Sequence, residues 1–248
     1  MLKTRLIPVL TFNGISLVKT KLFDSIRTVG NPIQAARVYN SRDVDELIFV
    51  DIKASVQKRK INLKLVKKII DECYMPVTIG GGVETFEDIN NLLRIGADKV
   101  IIKTKAIKDP SFISKAVKFF GSQCISIAVD VELNNRDYFI HYNKIKKMYM
   151  RTFIEQMNNC KVGEYSVNSV HRDGMMNGYD LTLYKYLNQL TNIPVIAMGG
   201  AGTPEHFVQL CQNEFKGALA ASSIFHFTQH TPQEIKRALD YNNIPVRI

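Results

Sequence analysis

The chain has 248 residues, 46% hydrophobic and 23% charged, which suits one buried core and argues against a disordered chain or two independent cores. The formal charge of +10 comes from 33 Lys and Arg against 23 Asp and Glu. The excess falls in short groups, Lys58 to Lys60, Lys67 with Lys68, Lys103 with Lys105 and Lys144 to Lys147, with no long basic tract, so nucleic acid is not the expected partner.

In chain order, short β-branched runs occur at Leu6 to Leu10, Glu46 to Asp51, Pro76 to Ile79, Lys99 to Lys103, Ile125 to Asp130, Glu164 to Ser169, Pro194 to Met198 and Gly217 to Ala221. They alternate with amphipathic stretches of helical length, and their near-continuous apolar character suits strands covered on both faces. The pattern predicts a single (β/α)8 TIM barrel over residues 1–248. Helix starts are marked by Asp109 before Pro110, Thr203 before Pro204 and Thr231 before Pro232, and helix ends by Gly96 and Gly121. Two connections are long: Thr11 to Asn31, and Val131 to Met148, which is expected to hold a hairpin around Asn134, Asn135 and Tyr138 to His141. The two halves look alike, "VTIGGGVETFED" then "GADKVIIKT" against "VIAMGGAGTPEH" then "KGALAASS", which predicts half-barrel repeats of about 1–122 and 123–248.

Each half offers an anion cradle. Gly80, Gly81 and Gly82 follow the third strand and Thr104 the fourth, while Gly199, Gly200 and Gly202 follow the seventh and Ser222 the eighth. Glycine lets backbone N–H groups approach an anion closely, so two such sets predict two phosphates on one small molecule. Arg172, Asp173 and Gly174 fall at the rim of the second set. Arg5, Glu46, Lys99 and Glu164 begin four strands; they form a paired ring inside the amino-terminal mouth or else point to solvent. Cys73, Cys124, Cys160 and Cys211 have no CxxC pair and the histidines no ligand spacing, so neither a metal nor a cofactor is expected. Met1 to Leu17 lacks the apolar stretch of a signal peptide and no run approaches the roughly 20 apolar residues of a membrane span, so a cytoplasmic chain without a membrane partner is expected.

The segments "ELIFVDI.AS..KR" from Glu46, "IGGGV" from Ile79, "GADKV" from Gly96, "FGSQ" from Phe120, "RDG…GYD" from Arg172, "GGAG…EHF" from Gly199 and "ALAAS…FHF" from Ala218 resemble the cyclase subunit of imidazole glycerol phosphate synthase, nearly end to end. The resemblance implies a barrel that takes ammonia from a glutaminase docked at its amino-terminal face. In that family the barrel uses the ammonia to split and cyclise a bisphosphorylated ribulosyl-aminoimidazole intermediate, giving imidazole glycerol phosphate and an aminoimidazole carboxamide nucleotide. It further implies that Gly82 and Thr104 hold one phosphate, that Asp173, Gly174, Gly202, Ala221 and Ser222 hold the other, and that Arg5, Glu46, Lys99 and Glu164 gate the ammonia.

The chain departs from that family at the catalytic pair. Asp130 stands at the end of the fifth strand, but the partner position at the end of the first is Thr11, whose hydroxyl does not titrate near neutrality. Lys103 replaces the usual Asn and, by alternation from Lys99 through Ile101, adds an ammonium to the first phosphate site; His171 replaces an Asp and is a candidate proton donor or a surface side chain. Met175 and Met198 also depart from the pattern. The departures are similar to those of cyclase-like paralogues associated with surface-polysaccharide pathways, which with a glutaminase supply ammonia to another sugar-modifying enzyme. An authentic histidine-pathway cyclase and a catalytically inert allosteric partner of a glutaminase remain the alternative readings.

Overall fold

The structure, a computed structural model, describes residues 3–142 and 148–248; the basic group at Lys144 to Lys147 lies outside the described residues. Eight parallel strands follow one another around a barrel: β1 (Leu6–Phe12), β2 (Leu47–Asp51), β3 (Val77–Gly80), β4 (Lys99–Ile102), β5 (Ile125–Asn134), β6 (Glu164–Ser169), β7 (Val195–Met198) and β8 (Ala218–Ala221). Each pairs with the next, and β8 returns to β1 through Leu6↔Leu219, Ile7↔Ala220 and Pro8↔Ala221, so the sheet closes. Helices lie between successive strands, as the alternating pattern predicts.

Alternation along each strand divides the apolar residues into two sets. On β1, Leu6 and Leu10 pack outward against the helices, while Ile7 and Val9 join Ile48, Ile196, Ala218 and Ala220 in the lumen. The same alternation carries Arg5 and Thr11 to the two ends of the inward-facing row of β1. Inside the lumen the Ser126 and Ser166 hydroxyls lie 3.3 Å apart and hydrogen-bond to one another.

The expected helix signals operate. The Asp109 carboxylate accepts from Phe112 N, Thr231 and Glu234 form a capping box, and Gly96 and Gly121 take φ of 108° and 88° where their helices stop. The helix Pro204–Gln212 starts differently: the His206 Nδ1 reaches back to the Thr203 and Gly202 N–H groups. The expected hairpin extends β5, pairing Val131 to Asn134 with Asp137–Ile140 across a turn in which Asn135 and Arg136 have φ of 50° and 73°.

Most strands shift at an end by one or more residues from the sequence reading, and two differences bear on the site. Thr11 to Asn31 is no open loop but a second hairpin, Leu17–Lys21 against Ser25–Gly30, which continues the pairing of Thr11 and Phe12 and buries Leu17 and Val18. β4 ends at Ile102, one residue short, because Lys103 turns to φ −117°, ψ −73° and becomes the N-cap of the helix Thr104–Lys108.

One buried hydroxyl ties the carboxyl ends of β6 and β7 together. Tyr184 is fully buried; its hydroxyl donates toward Val167 O (2.9 Å) and Met198 O (2.7 Å), and accepts from Met198 N (2.8 Å). Tyr184→Phe removes these contacts from buried backbone groups, so a loss of roughly 2 kcal/mol is expected, read from the midpoint of urea unfolding at unchanged slope.

Candidate functional site

The carboxyl ends of the strands open on a hollow of about 390 Å³. A recess of about 60 Å³ adjoins it, and the two share Val9, Thr11, Lys19, Asn168, Asp173 and Met198 in their walls. The turn at 80–82 borders the larger hollow and the turn at 199–201 the smaller, so both glycine motifs face one continuous cleft.

In the larger hollow, Gly81, Gly82, Lys103 and Thr104 line one wall. Gly82 has φ 67°, and a Cβ there would stand 2.5 Å from Arg59 O, so both the turn and the close approach require glycine. That neighbouring backbone is fixed by Asp51, which takes the Arg59 guanidinium in a two-pronged ion pair (2.5 and 2.8 Å) and accepts from Lys53 N and Ala54 N.

The smaller recess is walled by Asp173, Gly174, Ala221, Ser222 and Ser223 together with Gly199 to Ala201. Gly202 stands just beyond it, its N–H bonded to His206 Nδ1 at 3.1 Å. Among the described residues, the buried side-chain polar atoms without a partner are Asn168 Oδ1, Arg172 Nε, Ser222 Oγ and Ser223 Oγ. Three of the four residues, Asn168, Ser222 and Ser223, line this recess.

Lys19 was not singled out in the sequence. It sits on the first hairpin, 6% exposed, with its ammonium 2.6 Å from Asp173 Oδ1, and it lines both hollows. Thr20 Oγ1 donates to Asp173 Oδ2 and Leu22 N to Asp173 O, so one aspartate fastens the hairpin over the rim. Burial, with the Lys19 charge nearby, pulls the His226 imidazole down to about 4, which leaves that ring neutral near pH 7.

Asp130 and Thr11 both reach the larger hollow, and neither is free. The Asp130 Oδ2 is held by Lys103 Nζ at 2.5 Å, with 17% and 28% of the two side chains exposed. The Thr11 hydroxyl donates to Val18 O of the hairpin. His171 does not border either hollow: its Nε2 lies 3.2 Å from Asp180 and its Nδ1 3.3 Å from Ser169 Oγ. The candidate proton donor is therefore a structural side chain, part of the set around Asp180 that includes Tyr138 and the N–H of Leu183. Met198 borders both hollows; Met175 borders neither.

At the opposite mouth the four charges form a closed ring. Arg5 bonds Glu46 (2.5 Å) and Glu164, and Lys99 bonds Glu46 (2.9 Å) and Glu164 (2.8 Å). The carboxylates are nearly buried and Glu46 also accepts from Thr78 Oγ1. Burial pulls the Arg5 guanidinium down, but Glu164 and Glu46 outweigh it and lift the group above its ordinary range. Of the two orientations open to strand-start charges, the inward one is realised.

Fold and site together define a class: a closed (β/α)8 barrel with two glycine-built hollows on one rim and a ring of alternating charges at the other. A family model described as histidine biosynthesis protein matches residues 5–231. The chain is 39% identical over 251 residues to the imidazole glycerol phosphate synthase subunit HisF of Pyrococcus furiosus, with 100% of both chains covered. It is 40% identical over 256 residues to that of Endomicrobium trichonymphae (100% of this chain, 96% of the other) and 36% over 272 residues to that of Methanococcus vannielii, with both covered in full. The chain belongs to the HisF family of imidazole glycerol phosphate synthase subunits.

Proposed function

We propose that this chain is the barrel subunit of a glutamine-dependent amidotransferase that binds a doubly phosphorylated ligand across its carboxyl rim and receives ammonia through its amino-terminal ring. In this reading the glutaminase docks at the ring face, and Arg5, Glu46, Lys99 and Glu164 admit ammonia to the lumen. Gly82, Lys103 and Thr104 hold one phosphate; Gly174, Ala221 and Ser222 hold the second, while Asp173, paired with Lys19, and Gly202, its N–H taken by His206 Nδ1, brace the rim around it. The barrel is specialised for supplying ammonia to a sugar-modifying step of surface-polysaccharide synthesis and cyclises poorly itself. No helix among the described residues is long and apolar enough to cross a membrane, which fits a cytoplasmic assembly.

The observation that carries the specialised reading is the state of position 11. A hydroxyl bonded to Val18 O offers no proton acceptor across the hollow from Asp130, while the groups suited to anions are kept. Loss of one member of a general acid/base pair lowers turnover by about 10²- to 10⁴-fold. The test is purified protein with ammonium salts and the bisphosphorylated histidine-pathway intermediate: cyclisation at least about 10²-fold below that of a relative assayed alongside is expected, and equal turnover sinks the specialisation. Similarity over the full length to subunits of imidazole glycerol phosphate synthase favours the second reading, an authentic histidine-pathway cyclase, and equal turnover would establish it.

A further inference from the structure

We propose that Lys103 is a shared cation: it neutralises Asp130 while the first hollow is empty and passes to the ligand's phosphate when the hollow fills, so that anion binding uncovers the Asp130 carboxylate. The inference rests on the reading of the 80–82 turn and Thr104 as a phosphate site.

Three observations support it. Lys103 and Asp130 come from neighbouring strand ends, β4 and β5, and their 2.5 Å contact stands in the wall of the hollow that Gly81, Gly82 and Thr104 also line. The pair is partly open to the hollow, with 28% and 17% of the side chains exposed, so an incoming anion can reach the ammonium. Of the other carboxylates that line the hollow, Asp51 is taken up by Arg59 and two backbone N–H groups and Asp173 by Lys19 and Thr20, so neither competes for Lys103. A lysine is a compact charge on a flexible four-carbon stem, and changing partner needs side-chain rotation alone. A phosphate oxygen carries more charge than a carboxylate oxygen and competes well for the ammonium. The consequence is a carboxylate that becomes available in the cleft only once the ligand is seated.

The probe is inorganic phosphate, followed through the backbone amide signals of Gly82 and Thr104, with those of Gly200 and Ser222 in the second hollow as an internal reference. Asp130→Asn removes the competitor and is expected to tighten binding at the first hollow roughly fivefold while leaving the second unchanged. Lys103→Met is expected to weaken the first hollow about tenfold or more. A structure of the wild-type protein with phosphate bound should then show Lys103 Nζ on a phosphate oxygen. Unchanged affinity in Asp130→Asn, or an ammonium still on Asp130 with phosphate present, overturns the sharing. Absence of any phosphate response at Gly82 and Thr104 in the wild type instead removes the two-phosphate reading on which it stands.

Discussion

Thr11→Asp is expected to raise ammonium-dependent turnover of the bisphosphorylated intermediate by about 10²-fold or more, the contribution of a positioned acid/base group. The threonine hydroxyl donates to Val18 O, which a carboxylate cannot do; the ionised side chain introduced by Thr11→Asp is repelled by that carbonyl and turns into the hollow that Asp130 already borders. The hairpin is kept, since Thr11 pairs with Val18 through the backbone. With Lys103 on ligand phosphate, as proposed, Asp130 is available in the filled cleft, and a second change at 103 is expected to add nothing to kcat. Lys103→Asn on the Thr11→Asp background is expected to raise KM instead. Initial rates at saturating ammonium decide it. No gain from Thr11→Asp means that the cleft is shaped for another ligand; a gain that appears only with Lys103→Asn means that the lysine stays on Asp130 in the complex.

The barrel was legible because its strands are buried on both faces: runs such as Leu47 to Val50 and Ala218 to Ala221 have no other comfortable environment. The ring was legible only in part: Arg5, Glu46, Lys99 and Glu164 stood out as strand-start charges, but spacing left their direction open until the structure put Arg5 in the inward row of Ile7 and paired it with both glutamates. The first hairpin was not legible. Its turn places Leu22 and Phe23 at φ of 54° and 61°, residues that carry no turn signal, and its anchor is the carbonyl and carboxylate of Asp173, far along the chain. Lys19 was missed with it, because a lysine in an apparent loop looks solvated until the hairpin folds it onto Asp173. Lys103 was recognised as inward-facing, but its alliance with Asp130 depends on the register of β4 against β5, Ile102 opposite Ile127, which local patterns do not encode. The exchange of His171 for a structural role has the same origin: Asp180 caps the helix Leu181–Leu190, accepts from the Tyr138 hydroxyl and collects the imidazole as a third partner.

The largest stability effect is expected at the ring, where single and complete replacement should differ in sign. Glu164→Leu leaves Arg5 and Lys99 sharing Glu46 alone inside a narrow mouth, and removing one partner from a largely buried charge cluster costs about 3 kcal/mol, somewhat less where the cations keep some water. Replacing all four, Arg5→Met, Glu46→Leu, Lys99→Met and Glu164→Leu, removes the desolvated charges together and is expected to return stability to within about 1 kcal/mol of the wild type. Urea unfolding of the single and fourfold variants measures both. A ring held for stability would leave the fourfold variant as weak as the single one. Recovery would mean that the sheet closes without these charges, so their presence at the mouth answers to what passes there. The fourfold variant, folded but apolar at the mouth, then tests the proposed ammonia entrance: glutamine-dependent turnover with the proposed glutaminase partner is expected to change while turnover with external ammonium does not.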